Sequence, residues 1–107
     1  MKPNDLRNTL HGVTVIGITP FLENGDFDFN GYEKNLRFIM ESGLNASNAC
    51  IVVGGSTGEC GAMNIDERKN LFDVSMKICG KDLPVIAGCN STNVRETIEL
   101  AQYAEKI

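Results

Sequence analysis

Apolar residues occur along this chain in two rhythms, short continuous runs and longer stretches spaced by three and four. Val13 to Ile18 is the first run, rich in β-branched residues, and it stops at Thr19-Pro20, where proline removes a backbone donor and restricts its predecessor. It predicts a buried strand. Asn24-Gly25 then marks a turn, and Tyr32, Leu36, Ile39 and Met40 recur at helical spacing up to Gly43, which suits a left-handed C-terminal cap. Ala49 to Val53 reads as a second strand, apolar throughout, as expected where both faces are covered. Asn64 and Glu67 form a capping box for a helix that carries Arg68, Leu71, Phe72, Ser75 and Ile78 and stops near Gly80, with Lys69 and Lys77 on or near its wet side. Val85 to Ala87, after Leu83-Pro84, predicts a short third strand. The last helix is expected to be capped by Ser91 or Asn93, with Asn93 and Glu96 reciprocal. Its buried stripe is expected to be Val94, Ile98 and Ala101, with Ala104 or Leu100 beside it.

Strand and helix therefore alternate three times, which implies parallel strands joined by right-handed crossovers in an α/β fold. Parallel strands all point one way, so the loops that follow them emerge on one edge, where α/β proteins bind ligands. Thr19, Ser56, Thr57 and Asn90 are expected on that edge.

Composition narrows the partners. The 107 residues have 14 acidic and 10 basic side chains, a net charge of −4, and the cations are scattered rather than clustered, so nucleic acid is not an expected partner. No apolar stretch has the length of a membrane span, and Met1 to Gly12 lacks the apolar centre of a signal peptide. The expected location is the cytoplasm. Cys50, Cys60, Cys79 and Cys89 form no CxxC pair and lie far in sequence from His11, the single histidine, so metal-ligand spacing is absent. They read as reduced thiols, with Cys50 acting as a small apolar residue inside the second strand. Cys60 directly follows a glycine loop, but the sequence places no activating base or cation beside it.

That loop, Gly54-Gly55-Ser56-Thr57-Gly58-Glu59, is the richest candidate for chemistry. Its glycines let bare backbone approach a bound group, and its hydroxyls donate or accept, so it suits a carboxylate or a phosphate. The specific phosphate signatures fail: Gly58 is followed by Glu59 and Cys60 rather than by lysine and a hydroxyl residue, and Gly54 and Gly58 lack the third glycine of a dinucleotide loop. The bland alternative is that the glycines serve the turn while Ser56, Thr57 and Glu59 satisfy local backbone groups.

The segments Gly17-Ile18-Thr19-Pro20-Phe21 with Asn24-Gly25, Gly54 to Glu59, and Pro84-Val85-Ile86-Ala87-Gly88, in this order, resemble the N-terminal part of the dihydrodipicolinate synthase and N-acetylneuraminate lyase family. The resemblance implies a TIM (β/α)8 barrel, of which residues 1–107 are one partial domain holding the first three βα units. It implies a lyase or aldolase that forms a Schiff base between a lysine and pyruvate or another 2-oxo acid, with no further cofactor and no metal. By position, Ser56, Thr57 and Gly58 would bind substrate: Thr57 and its backbone amide would hold the carboxylate, and Ser56 would also stand in a proton relay with tyrosines. Glu59 would hold the loop in shape. Intact relatives are commonly dimers or tetramers, so a homo-oligomer is expected.

A complete barrel needs about 250 residues. The resemblance places the family's Schiff-base lysine and its tyrosines farther along the barrel, beyond Ile107. Lys2, Lys34, Lys69, Lys77, Lys81 and Lys106 all read as terminal, helical or loop positions, unsuited to a desolvated nucleophile, and Tyr32 and Tyr103 read as helix residues remote from the loop edge. On this reading the chain alone is inactive. The competing reading is a noncatalytic module that binds a small acid or associates with a complementary half-barrel, since three unclosed strands leave open edges.

Overall fold

The computed structural model describes residues 3–107, so Lys2 lies outside the described residues. Its centre is a parallel sheet of β1 (Val13–Ile16), β2 (Ala49–Val53) and β3 (Val85–Ala87), in the spatial order β1-β2-β3. Val13 pairs with Ala49 and Ile16 with Val52, while Ile51 pairs with Val85 and Val53 with Ala87. Helices α2 (Phe29–Glu41), α3 (Ile65–Cys79) and α4 (Val94–Lys106) alternate with the strands, and α3 packs on β2 and β3 between its two neighbours. A seven-residue helix, α1 (Pro3–Thr9), precedes β1 and was not signalled by the apolar pattern, because Asn4 to Asn8 are all exposed.

The sheet's period of two divides its residues between faces. Val15, Ala49, Ile51, Val53, Val85 and Ala87 join Leu36, Leu71, Phe72 and Leu100 in the core beneath the helices. Cys50 also buries, as expected of a small apolar residue, with its thiol 3.6 Å from the Thr14 hydroxyl. Val13 and Ile16, on the edge strand β1, remain 55% and 46% exposed, and β3 is the other edge of the sheet.

Helix boundaries follow local chemistry. Asp28 caps α2 by accepting from the Gly31 N–H at 3.0 Å, and Gly43 follows the helix with φ +90°, the left-handed conformation expected there. The Asn64–Glu67 capping box is present in both directions, at 2.8 and 3.1 Å.

Three expectations need correction. The first strand ends at Ile16 rather than Ile18, because after the Gly17 N–H bonds the Val52 carbonyl (2.8 Å) the neighbouring chain turns away at Gly54; Ile18 is 63% exposed. The last helix is capped by Asn93, which accepts from the Arg95 N–H at 3.0 Å, but the reciprocal bond from the Asn93 N–H to the Glu96 carboxylate is not made. Ser91 intervenes: its hydroxyl donates to the Glu96 carboxylate at 2.8 Å and accepts the Asn93 N–H at 3.1 Å. The stripe facing the core is Leu100, Tyr103 and Ala104, whereas Val94, Ile98 and Ala101 are exposed. A helix with two apolar flanks has no single stripe to read. Among the described residues no helix is long and apolar enough to cross a membrane.

Candidate functional site

The loops after β1, β2 and β3 meet at one edge of the sheet, as parallel topology requires. Gly54 leaves β2 with φ +67°, and the chain then folds into a turn in which the Glu59 N–H donates to the Ser56 carbonyl (3.0 Å) and the Cys60 N–H to the Gly55 carbonyl (3.2 Å). A 3-10 turn over Cys60–Ala62 leads into α3. Within this loop Ser56 and Thr57 are exposed and Gly58 is buried. Neither hydroxyl, and none of the backbone N–H groups of residues 56–58, has an acceptor among the described residues. The amides and hydroxyls of the exposed Ser56 and Thr57 are thus left for solvent or a ligand, and the amide of the buried Gly58 has no protein acceptor among the described residues.

Gly58 is the most constrained of the three. Its carbonyl accepts the buried Thr19 hydroxyl at 2.6 Å, and a Cβ there would lie 2.9 Å from the Gly17 carbonyl oxygen, which leaves no room for a side chain. Thr19, expected on this edge, is thereby a strut between the first and second loops. Glu59 adopts φ +55°, ψ +43°, left-handed and uncommon for a residue with a Cβ. Its side chain is exposed and caps nothing, so its contribution to the loop's shape is made by its backbone.

Asn90 reaches the same edge from the third loop. Its amide donates to the Cys60 sulfur at 3.2 Å, and its carbonyl accepts from Arg68 at 2.7 Å. Cys60, Arg68, Asn90, Ser91 and Glu96 line a cavity of about 370 Å³ beside the loop; Ser56 and Thr57 are not part of its wall. Two residues that organise this edge were missed at the level of sequence, Arg68 in its bonding and Glu67 in its second role. Glu67, besides closing the capping box, accepts the Phe27 N–H at 2.9 Å and so ties α3 to the segment after β1. The available signal for Arg68 was a cation within an otherwise apolar helical face.

Both tyrosines lie elsewhere. Tyr32 is buried between α2 and α3 with its hydroxyl 2.6 Å from that of Ser75, and desolvation drives its pKa well above the ordinary phenol value. Tyr103 donates to the Asp73 carboxylate at 2.7 Å, and that hydrogen bond, together with the nearby negative charge, raises its pKa. Lys34, Lys77, Lys81 and Lys106 are exposed, and Lys69 is occupied by Glu99 at 2.6 Å. None is at the loop edge. No group of three potential metal ligands occurs among the described residues.

The sequence model of the dihydrodipicolinate synthetase family matches residues 9–107. This chain belongs to that family. Among relatives of this family member, the 4-hydroxy-tetrahydrodipicolinate synthase of Methanococcus aeolicus is 38% identical over 98 residues, which cover 92% of this chain and 32% of the relative. The fold agrees with that of a dihydrodipicolinate synthase from Acinetobacter baumannii complexed with pyruvate, at a TM-score of 0.79 and 32% identity over 92% of this chain and 32% of that one. YagE, a family protein from E. coli K12 also solved in complex with pyruvate, gives a TM-score of 0.77 at 28% identity, covering 89% of this chain and 30% of its own. The three strands and their helices are therefore βα units of a TIM barrel. The chain spans about a third of the length of the curated relatives it matches.

Proposed function

We propose that this chain is one partial domain of a pyruvate-dependent Schiff-base lyase or aldolase and that residues 56–58 form its cradle for the 2-oxo-acid carboxylate. The observation that carries the reading is the set of unpaired donors at the loop edge: exposed hydroxyls on Ser56 and Thr57 and three backbone N–H groups without acceptors. A carboxylate offers about four lone-pair sites, so a single group can use several of these donors at once. The two family structures solved with pyruvate support the choice of ligand.

In this reading Thr57 and the neighbouring amides hold the carboxylate and thereby aim the ketone of the 2-oxo acid. Ser56, whose hydroxyl both donates and accepts, passes a proton along the relay. An amine condensing with the ketone releases water, and loss of a proton from the adjacent carbon gives an enamine that joins or leaves a second carbonyl compound. This chain supplies orientation to that chemistry and not its amine, because the described lysines lie on helices or in loops away from the edge.

Borohydride trapping with pyruvate, read by intact mass, tests this. The expected result is a pyruvate-derived adduct on the whole protein and none on residues 1–107 alone. An unlabelled whole protein would overturn the reading, and labelling of the short chain would overturn the statement that its lysines are not the nucleophile. Thr57→Val in the whole protein is expected to raise KM for pyruvate while leaving the fold intact.

A further inference from the structure

Arg68 lies on the buried face of α3 with Leu71, Phe72 and Ser75, and only 4% of its surface is exposed. A guanidinium keeps its charge at all ordinary pH values, and burying it is costly unless its donors are used. No carboxylate pairs with it among the described residues. Its donors go to backbone carbonyls instead: one terminal nitrogen to Asn90 at 2.7 Å, the other to Gly88 at 2.7 Å and, more distantly, to Gly54 at 3.5 Å. Nε is buried with no acceptor.

Those three carbonyls belong to the ends of two strands. Gly54 opens the candidate loop after β2, and Gly88 follows β3. The two backbones approach so closely that a Cβ on Gly88 would lie 2.5 Å from the Gly54 oxygen. Carbonyl oxygens that converge on one nitrogen repel each other, and a fixed positive charge between them offsets that repulsion. We infer that Arg68 is the positioning residue of the candidate loop: by clasping Gly54, Gly88 and Asn90 it sets the direction in which the chain leaves β2, and so where the donors of residues 56–58 point. The consequence for ligand binding rests on the reading of the loop as a carboxylate cradle. The clasp itself does not.

The test uses the whole protein with three variants. Arg68→Met keeps most of the side-chain length without charge, and Arg68→Lys keeps the charge but offers one nitrogen where the guanidinium has a planar fork. Leu83→Ala, at the opposite end of β3 from Gly88, is a control that destabilises the core without touching the loop. Amide hydrogen exchange is read at Glu59, Cys60 and Gly88, whose N–H groups bond within this edge. Exchange there is expected to quicken about tenfold or more in Arg68→Met, with Arg68→Lys between it and wild type and little change in Leu83→Ala. Equal exchange in wild type and Arg68→Met, or equal acceleration by Leu83→Ala, would overturn the clasp.

Pyruvate kinetics on the same proteins decide the second step. Arg68→Met is expected to raise KM for pyruvate on the order of ten- to a hundredfold, a change that Leu83→Ala does not share. If loosened amides leave KM unchanged, the link from clasp to ligand is wrong. If wild type neither binds nor turns over pyruvate, the carboxylate reading fails, while the exchange result still decides the role of Arg68.

Discussion

The Thr19 hydroxyl donates to the Gly58 carbonyl at 2.6 Å, joining the segment after β1 to the loop after β2. Both partners are buried, so the bond is shielded from competing water. Thr19→Val keeps the shape and removes the donor, stranding a buried carbonyl at a cost of about 1–3 kcal/mol. Urea denaturation is expected to show that loss. Thr19→Ser, which keeps the donor, is expected to recover part of it.

Gly58→Ala tests the same junction from the other side. A Cβ would lie 2.9 Å from the Gly17 oxygen and 3.3 Å from the Gly54 nitrogen, both backbone atoms that cannot swing aside. The loop must shift, at about 1–3 kcal/mol of stability. Calorimetry is expected to show a lower Tm, and in the whole protein pyruvate titration is expected to show weaker binding.

Glu59 separates backbone from side-chain effects. Its left-handed conformation at φ +55° costs an L-residue roughly 1–2 kcal/mol that glycine does not incur. Glu59→Gly is expected to be neutral or stabilising in thermal unfolding, and Glu59→Val, with a branched Cβ, clearly destabilising. A large loss of turnover in Glu59→Gly with unchanged Tm would assign the carboxylate a chemical role that this geometry does not give it.

The Tyr32–Ser75 pair makes an ordering testable. Ser75 has one hydroxyl proton, and it goes to the Leu71 carbonyl at 2.6 Å, so Tyr32 must be the donor in their 2.6 Å contact. Ser75→Ala leaves a phenol donor unpaired in the core, at about 1–3 kcal/mol. Tyr32→Phe leaves Ser75 still bonded and is expected to cost about 1 kcal/mol or less. Chemical denaturation of both variants checks the order, and the reverse order would exclude this assignment of donors.

Alkaline pH is expected to weaken the fold through buried acids that must stay neutral. Burial pushes the Cys79 thiol up from 9.0 to about 11 and drives the Tyr32 phenol higher still. Their pKa values are raised in the folded state, so their stabilising effect is complete below the unfolded values. It declines as pH rises through the window between unfolded and folded titration. For Cys79 that window runs from about pH 9 to pH 11, with a slope of about 1.4 kcal/mol per pH unit where one proton separates the two states. Denaturation series at pH 8, 9.5 and 10.5 should show the decline, and Cys79→Ala should flatten its onset, leaving the later fall from Tyr32.

Much of this architecture was legible because its signals are local. Asn64 and Glu67 announce a capping box, Asn24-Gly25 a turn, and Gly43 the end of α2, each through a few neighbouring residues. The candidate loop was also visible, and the structure shows Ser56 and Thr57 exposed with their donors unused. What stayed hidden depends on residues distant in sequence. The Thr19 strut spans 39 positions, and the Arg68 bonds to Gly88 and Asn90 span 20 and 22, so no local pattern encodes them. The orientation of α4 was misread for a different reason: Val94 and Ile98 are apolar as Leu100 is, and composition alone does not say which flank meets α3.

Glu67 divides its two carboxylate oxygens between obligations to two separate segments. One oxygen closes the start of α3 on the Asn64 N–H, and the other receives the Phe27 N–H from the turn after β1. A glutamine has a single oxygen, so exchange to it loads both bonds on one atom or gives one of them up. Any substitution at this position therefore acts on the start of α3 and on the Phe27 turn at the same time.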